Sequence, residues 1–129
     1  MADSWTLTIP APTQWVSAND RSHWQSKARL VKIWREAGAL HARAAKLPHI
    51  DTPVHITGWV CRTDTRRADA HNRILTVKAV IDGLVDAGIL DDDNDKHVTA
   101  VTMRAGEPVD RKQHPLGVLV IEISEEEAS

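Results

Sequence analysis

The sequence predicts an α+β domain: a small mixed β-sheet with two α-helices packed on it, in the order β-α-β-α-β-β. Three observations lead there. Two stretches carry apolar residues at helical spacing, four short runs read as strands, and the last of these runs is almost continuously apolar. At 129 residues the chain suits one domain, 1–129, with a single core. Its apolar fraction of 42% is ordinary for a globular chain. With five Trp and no Phe or Tyr, the core has to lean on Val, Ile, Leu and Ala, with Trp anchoring a few spots.

The first strand is "WTLTIP", which alternates and stops at Pro10. A loop rich in Pro, Ser, Asn and Asp follows, "APTQWVSANDRSHW". Residues 26–46 form the first helix. Its apolar stripe is Leu30, Ile33, Trp34, Ala37, Leu40 and Ala44, with Lys32, Arg35 and Arg43 opposite and Lys27 at the edge. "LPHIDTP" breaks that helix, and "VHITGWVCR" is the second strand. The second helix spans residues 72–87. Ile74, Val77, Ile81, Leu84 and Val85 make its buried face, and Gly88 suits its C-terminal cap. "KHVTAVTMRAG" is the third strand and "LGVLVIEIS" the fourth. The fourth is apolar enough to be central, and "EPVDRKQHP" joins the two as a hairpin loop.

Composition excludes several classes. One cysteine, Cys61, rules out an internal disulfide and the usual structural zinc sites; inside a strand-like run it reads as a buried thiol. No apolar run approaches the roughly 18 residues that span a bilayer, and "MADSWTLTIP" lacks the pattern of a secretory signal. A cytoplasmic protein with no membrane partner is expected. There is no Gly-rich phosphate loop and no hydrolase triad motif. Net charge is −2, but its distribution is uneven. Arg21, Lys27, Arg29, Lys32, Arg35, Arg43 and Lys46 face one acid, Glu36, over residues 21–46, while Glu122, Glu125, Glu126 and Glu127 crowd the end. Basic charge on one element suits either a phosphate binder or a solvated helix face.

Chemistry concentrates at the two ends of the second helix. "TDTRRADAHNR" precedes it and "GILDDDND" follows it. Taken singly, Asp69 reads as an N-cap and "DDD" as a solvated turn. Together they suggest a cation, because clustered carboxylates repel, and hard oxygen ligands suit Mg²⁺ or Mn²⁺. An EF-hand is ruled out: Lys96 stands where the loop needs Gly, and Thr102 where it needs the bidentate Glu.

"RRADAHN", then "KAVIDGLVDAGILDDD", then a His-Val strand start, resembles the RusA-type Holliday junction resolvases, in their phage and actinobacterial branch. "LTIPAP" with "SANDRSHW" is similar to that family's first strand and Asn/Arg-containing loop, and "GVLVIEI" to its last strand. The resemblance covers nearly the whole chain, and the "KAVIDGLVDAGILDDD" block is its specific part. It implies a RusA-like fold. It also implies an Mg²⁺-dependent endonuclease, acting as a homodimer on four-way DNA junctions in recombination and repair, in the host cytoplasm if phage-encoded. Family members use two aspartates near the start of this helix, one after it, and a lysine. Asp69 matches the first. The second falls at His71 or Asn72, neither a carboxylate. The post-helix acid falls on Asp93 with Asp92 beside it, and the lysine on Lys78. His71 or Asn72 as a neutral ligand, or Asp92 as the missing charge, are the three ways to complete the set. Arg66, Arg67 and Arg73, with Lys27, Arg29, Lys32 and Arg35 and the loop residues Asn19 and Arg21, are the residues expected to hold DNA.

Geometry adds a constraint. A helix of some fifteen residues is roughly 22 Å long, whereas two hydrolytic metals sit about 3.5–4 Å apart. A straight helix cannot bring Asp69 and Asp92 or Asp93 of one chain to one metal, but a two-fold dimer with antiparallel helices can, its metal sites shared between subunits. Three functions fit these features: a junction resolvase, a junction-binding protein that has lost efficient cleavage, and a nuclease for flaps or other branched DNA.

Overall fold

The computed structural model describes residues 3–17, 24–64 and 70–126. Asn19, Arg21, Arg66, Arg67, Asp69 and Glu127 lie outside the described residues. The elements run β1 (Ser4–Pro10), α1 (Trp24–Ala44), β2 (Val54–Cys61), a 3₁₀ turn (Ala70–Arg73), α2 (Ile74–Asp86), β3 (Val98–Ala105) and β4 (Val118–Glu125). The fold is α+β, a four-stranded mixed sheet with two helices, in the order expected from the sequence.

The sheet order is β1-β4-β2-β3. β4 runs antiparallel to both of its neighbours, and β2 pairs with β3 in parallel. The central position of β4 agrees with its apolar sequence. The hairpin expected between β3 and β4 does not exist, because β2 lies between them. β4, with Leu119, Ile121 and Ile123 fully buried, takes an interior place. β3, with Thr99, Ala100 and Arg104 exposed, takes an edge. The connection therefore crosses the end of β2, where Gly106 N–H donates to the Val60 carbonyl (2.9 Å) and Val109 N–H to that of Arg62 (2.8 Å).

Both helices lie on one sheet face and share one core with Leu7, Ile9, Ile56 and Leu119. α2 buries more of itself than the five-residue face read from its sequence. Thr76, Val77, Ala79, Val80, Ile81, Gly83 and Leu84 are all buried, because the sheet takes one side of the helix and α1 another. Ile74 and Val85 are only half-buried. α1 departs further from expectation. Its buried residues are Trp34, Ala37, Gly38, Ala39 and Ala42, while Leu40 is 65% exposed and Ala44 is exposed. Small residues win that face because the helices cross closely there. A Cβ on Gly83 would lie 2.9 Å from the Ala39 backbone nitrogen, and one on Gly38 would lie 2.9 Å from the Val80 carbonyl oxygen. Leu40 is too large for this contact and turns outward.

The helix ends follow backbone chemistry. α2 closes in a Schellman motif: Gly88, at φ 78°, donates to the Val85 carbonyl (3.0 Å) and Ile89 to that of Leu84 (2.9 Å). Gly88 does what the sequence suggested. The N-cap of α2 is Arg73, with no side-chain capping bond, and the capping expected of Asp69 lies outside the described residues. The loop after β1 is better anchored than its composition suggests. The buried Thr76 hydroxyl donates to the Val16 carbonyl and accepts from the Val16 N–H, both at 2.9 Å. Trp34 Nε1 donates to the Gln14 carbonyl (2.9 Å). Cys61 is buried as expected, and burial followed by the charge of Glu107 pushes its thiol pKa up. No helix among the described residues is long and apolar enough to cross a membrane.

The crossing yields a first prediction. An alanine in mid-helix ordinarily gains up to about 1 kcal/mol over glycine, but overpacking costs about 1–3 kcal/mol. At Gly83 the obstructing atoms are backbone and cannot rotate away. Gly83→Ala is expected to lower the thermal midpoint by several degrees. An unchanged or raised midpoint in calorimetry would show that the helices separate without penalty.

Candidate functional site

The carboxylates after α2 do not simply trail off its end. Asp86 closes the helix, Ile89 and Leu90 bury themselves in the core, and the chain turns back. The return sets the Asp93 side chain against that of Asp82, one helical turn before the end of α2. Asp82 was not among the residues singled out from the sequence. The available signal was a lone acid in the apolar run "KAVIDGL", four residues after Lys78 and so on the same helix face. Lys78 is exposed on that face.

The two acids of the turn play different parts. Asp92 is fixed as a turn-former: its Oδ1 accepts from the Asp93 N–H (2.7 Å) and its Oδ2 from the Asn94 side chain (3.2 Å). The Asp93 N–H first, and then the Asp93 side chain, hold its carboxyl below the ordinary range. Asp93 stands between two carboxylates, acting on Asp92 beside it and on Asp82 of α2. Burial first, and then the charge of Asp93, push Asp82 above its usual value, with Arg35 pulling the other way. Asp91 is drawn aside by His49, whose Nε2 lies 2.9 Å from its Oδ1. Asn94 and His97 complete the turn through a 2.8 Å contact.

Among the described residues no group of three or more His, Cys, Asp or Glu converges as a metal site. The donor chemistry of the Asp82–Asp93 pair nevertheless suits a hard divalent cation. Two carboxylates set side by side repel, the charge of Arg35 offsets that only in part, and oxygen ligands are what Mg²⁺ and Mn²⁺ prefer. His71 is exposed in the 3₁₀ turn, and Asn72 beside it is half-buried. Neither is brought to Asp93, because eight residues of α2, about 12 Å, separate Ile74 from Asp82. The roughly 22 Å expected between Asp69 and the acids after the helix has one end outside the described residues.

The basic residues divide as well. Arg35 is occupied: its guanidinium grips Asp86 in two bonds, Nε to Oδ2 at 2.6 Å and Nη2 to Oδ1 at 2.7 Å, tying α1 to α2. This pair raises the Arg35 pKa and lowers that of Asp86. Arg43 adds a 3.4 Å bond to the Asp86 carbonyl. Arg29 and Lys32 are exposed on α1, and Lys27 is half-buried. Arg73 is also half-buried and lines a cavity at the start of α2 together with Arg62. Arg62 went unnoticed in the sequence. The signal for it was position alone, since it follows directly on the C-terminal end of a strand.

No family model matches this sequence, and no curated protein matches it either.

The two acids of α2 should respond oppositely to pH. Asp82 has a folded pKa above the ordinary 3.8. From 3.8 up to that folded value the native chain holds more protons than the unfolded one, so stability falls as pH rises through this window. Asp82→Asn is expected to raise the neutral-pH thermal midpoint, measured in chelator, and to lose that gain in acid. Asp86, depressed by Arg35, contributes stability above 3.8 that is lost as pH falls through its lower folded value. Asp86→Asn should therefore lower the midpoint at neutral pH, with the deficit shrinking in acid. The same sign for both variants would refute the assignment.

Proposed function

We propose that the chain is a metal-dependent endodeoxyribonuclease of the RusA type that cuts four-way DNA junctions as a homodimer. One observation carries the reading. Within the "KAVIDGLVDAGILDDD" block, the post-helix acid Asp93 returns to Asp82, on the helix face that also bears Lys78. A carboxylate pair beside an exposed lysine suits phosphodiester chemistry, and Asp82 offers an acid where His71 and Asn72 offer none.

In this reading Asp93 and Asp82 hold Mg²⁺, or Mn²⁺ in its place, with Asp69 as the further ligand that the resemblance implies. Asp92 supports Asp93 by fixing the turn. The ion, when bound, lowers the pKa of a coordinated water and takes up charge on phosphate oxygens. Lys78 stabilises negative charge on the same phosphate group. Arg29 and Lys32, exposed on α1, and Arg73 hold flanking phosphates. Arg35 is excluded from that set by its bond to Asp86. Because about 12 Å of helix separates Ile74 from Asp82, a ligand that precedes α2 reaches Asp93 most directly from a second subunit. Each dimer then has two equivalent sites, matching the two symmetric nicks that resolution requires.

A labelled four-way junction, a fork and a linear duplex, each incubated with protein and Mg²⁺, test the class. Paired symmetric nicks in the junction alone are the expected result. Cutting mainly of the fork would favour a flap nuclease, and binding without cutting a junction-binding protein. Asp93→Asn should abolish cleavage and leave junction binding intact, since binding rests on cations. It should also reduce the rise in thermal midpoint that Mg²⁺ gives the wild type. Near wild-type cutting by Asp93→Asn would overturn the metal assignment. Replacing Lys27, Arg29 and Lys32 by Ala should flatten the salt dependence by about 0.9 for each phosphate no longer neutralised; an unchanged slope would remove α1 from the DNA surface.

Sharing between subunits has its own test. Asp69→Asn and Asp93→Asn homodimers should each be inactive. A mixed dimer places both lesions in one site and leaves the other wild type, so it should nick a junction once without the paired second cut. No nicking by demonstrably mixed dimers would mean that each chain builds its own site.

A further inference from the structure

A cavity of about 230 Å³ opens where β2 ends and α2 begins. Arg62, Thr63 and Arg73 line one part of it, and Trp15, Pro115 and Leu116 another. We propose that this cavity is a nucleotide subsite, in which Arg62 and Arg73 take a phosphate and the wall of Trp15, Pro115 and Leu116 takes the sugar or base beside it.

Charge is the first argument. Arg62 and Arg73 stand close enough to repel: burial first, and then the charge of Arg62, push the Arg73 pKa down. Arginine stays protonated regardless, so the repulsion is a standing cost that an anion between the two guanidiniums relieves. Among the described residues Asp64 is the carboxylate that lines the cavity, with Glu107 near enough to act on the Cys61 thiol. Asp64 Oδ1 lies 3.4 Å from Arg62 Nη2, a long contact. Among the described residues no carboxylate forms an ion pair with Arg73. The helix adds to the same sign: Arg73 is the N-cap of α2, gives no side-chain capping bond, and no acid sits in the first turn. Thr63 brings a hydroxyl, and the Cys61 thiol on the wall is kept neutral by burial.

Shape and stiffness are the second argument. Trp15 is held from two sides, by its Nε1 donating to the Leu116 carbonyl (2.7 Å) and by the Trp34 ring with centroids 4.9 Å apart. A ring already fixed loses little freedom when a base or sugar packs on it. Leu116 is 46% exposed, an apolar surface that a ligand can cover. The volume falls below the roughly 300–1,000 Å³ of sites that enclose a drug-sized ligand, so the cavity suits one unit of a chain or a single small nucleotide. Arg73, the N-cap of α2, stands nine residues before Asp82, about 13 Å along the helix. The subsite is therefore distinct from the carboxylate pair.

The ligand chemistry is a nucleoside phosphate, supplied either by an unpaired nucleotide of a DNA strand or by a free nucleotide. The first source rests on the nuclease reading, and the second does not. Isothermal titration of the full chain with thymidine 5′-monophosphate, thymidine and inorganic phosphate tests the subsite. The monophosphate should bind more tightly than either part alone. Arg73→Gln and Arg62→Gln should each weaken it by about tenfold, the loss of one charge-assisted bond, with thermal unfolding confirming that each variant folds. Equal affinity for monophosphate and inorganic phosphate, or undiminished monophosphate binding by both variants, overturns the proposal. A short single-stranded oligonucleotide that displaces the monophosphate and binds more tightly identifies the strand as the source, and one that does not compete better identifies the free nucleotide. Monophosphate binding by a protein that neither binds nor cuts junctions would sink the nuclease reading and leave the subsite standing. Junction cleavage without monophosphate binding would do the reverse.

Discussion

The close approach of α1 and α2 governs much else in this molecule. Gly83 and Gly38 let two backbones meet where any larger side chain would hold them apart. That contact fixes which way α2 faces. With Gly83 turned to α1 and Val77 turned to the sheet, Lys78 is left toward solvent and Asp82 half-exposed. The same approach brings Arg35 within reach of Asp86, so the last acid of α2 is taken up in a bridge between helices. The acid one turn earlier is left to meet Asp93. Helix packing thereby sorts two aspartates of the same element, one into structure and one into a candidate site.

α2 carries charges its own dipole disfavours at both ends. A helix N-terminus favours anions and a C-terminus cations. Here a cation, Arg73, caps the start, with Arg62 close by, while Asp82 and Asp86 lie toward the end with no basic residue of α2 in the last turn. Arg35 and Arg43, reaching across from α1, relieve Asp86. Nothing comparable among the described residues relieves Arg73, and Asp82 meets a second acid besides the more distant help of Arg35. Local rules broken without visible compensation tend to mark function. The violations suit an anion at the start of the helix and a cation near its end.

The mixed sheet supports both places. β2 runs parallel to β3, so the connection between them has to cross the sheet, and α2 is that crossover. A crossover helix starts beyond the carboxyl end of one strand, where the cavity forms, and returns the chain at the other end of the sheet, where the acidic turn lies. The loop 106–117 passes over the same end of β2 and contributes Pro115 and Leu116 to the cavity wall.

Sequence periodicity was enough for the number, type and order of the elements. Burying an apolar strand or an amphipathic helix leaves a periodic trace in the chain itself. The central place of β4 was legible for the same reason, as was Gly88, because a left-handed residue after a helix favours glycine. The acidic turn was legible as a cluster of charge. Strand neighbours were not: β3 and β4 adjoin in sequence, but the interior slot beside β4 went to β2, a choice set by competition among all four strands. Nor was the facing of α1, where Leu40 fits an ideal stripe yet points outward, since backbone proximity at Gly83 excluded it. Asp82 and Arg62 escaped notice because neither stands in a cluster along the chain. Arg62 has Asp64 two residues on, but the like charges meet only when α2 is laid across the sheet: Asp82 meets Asp93 by the turn that folds back, and Arg62 meets Arg73 by the crossover that begins beside β2. Local chemistry along the chain decided the elements; long-range packing, which no single segment encodes, decided which charges meet.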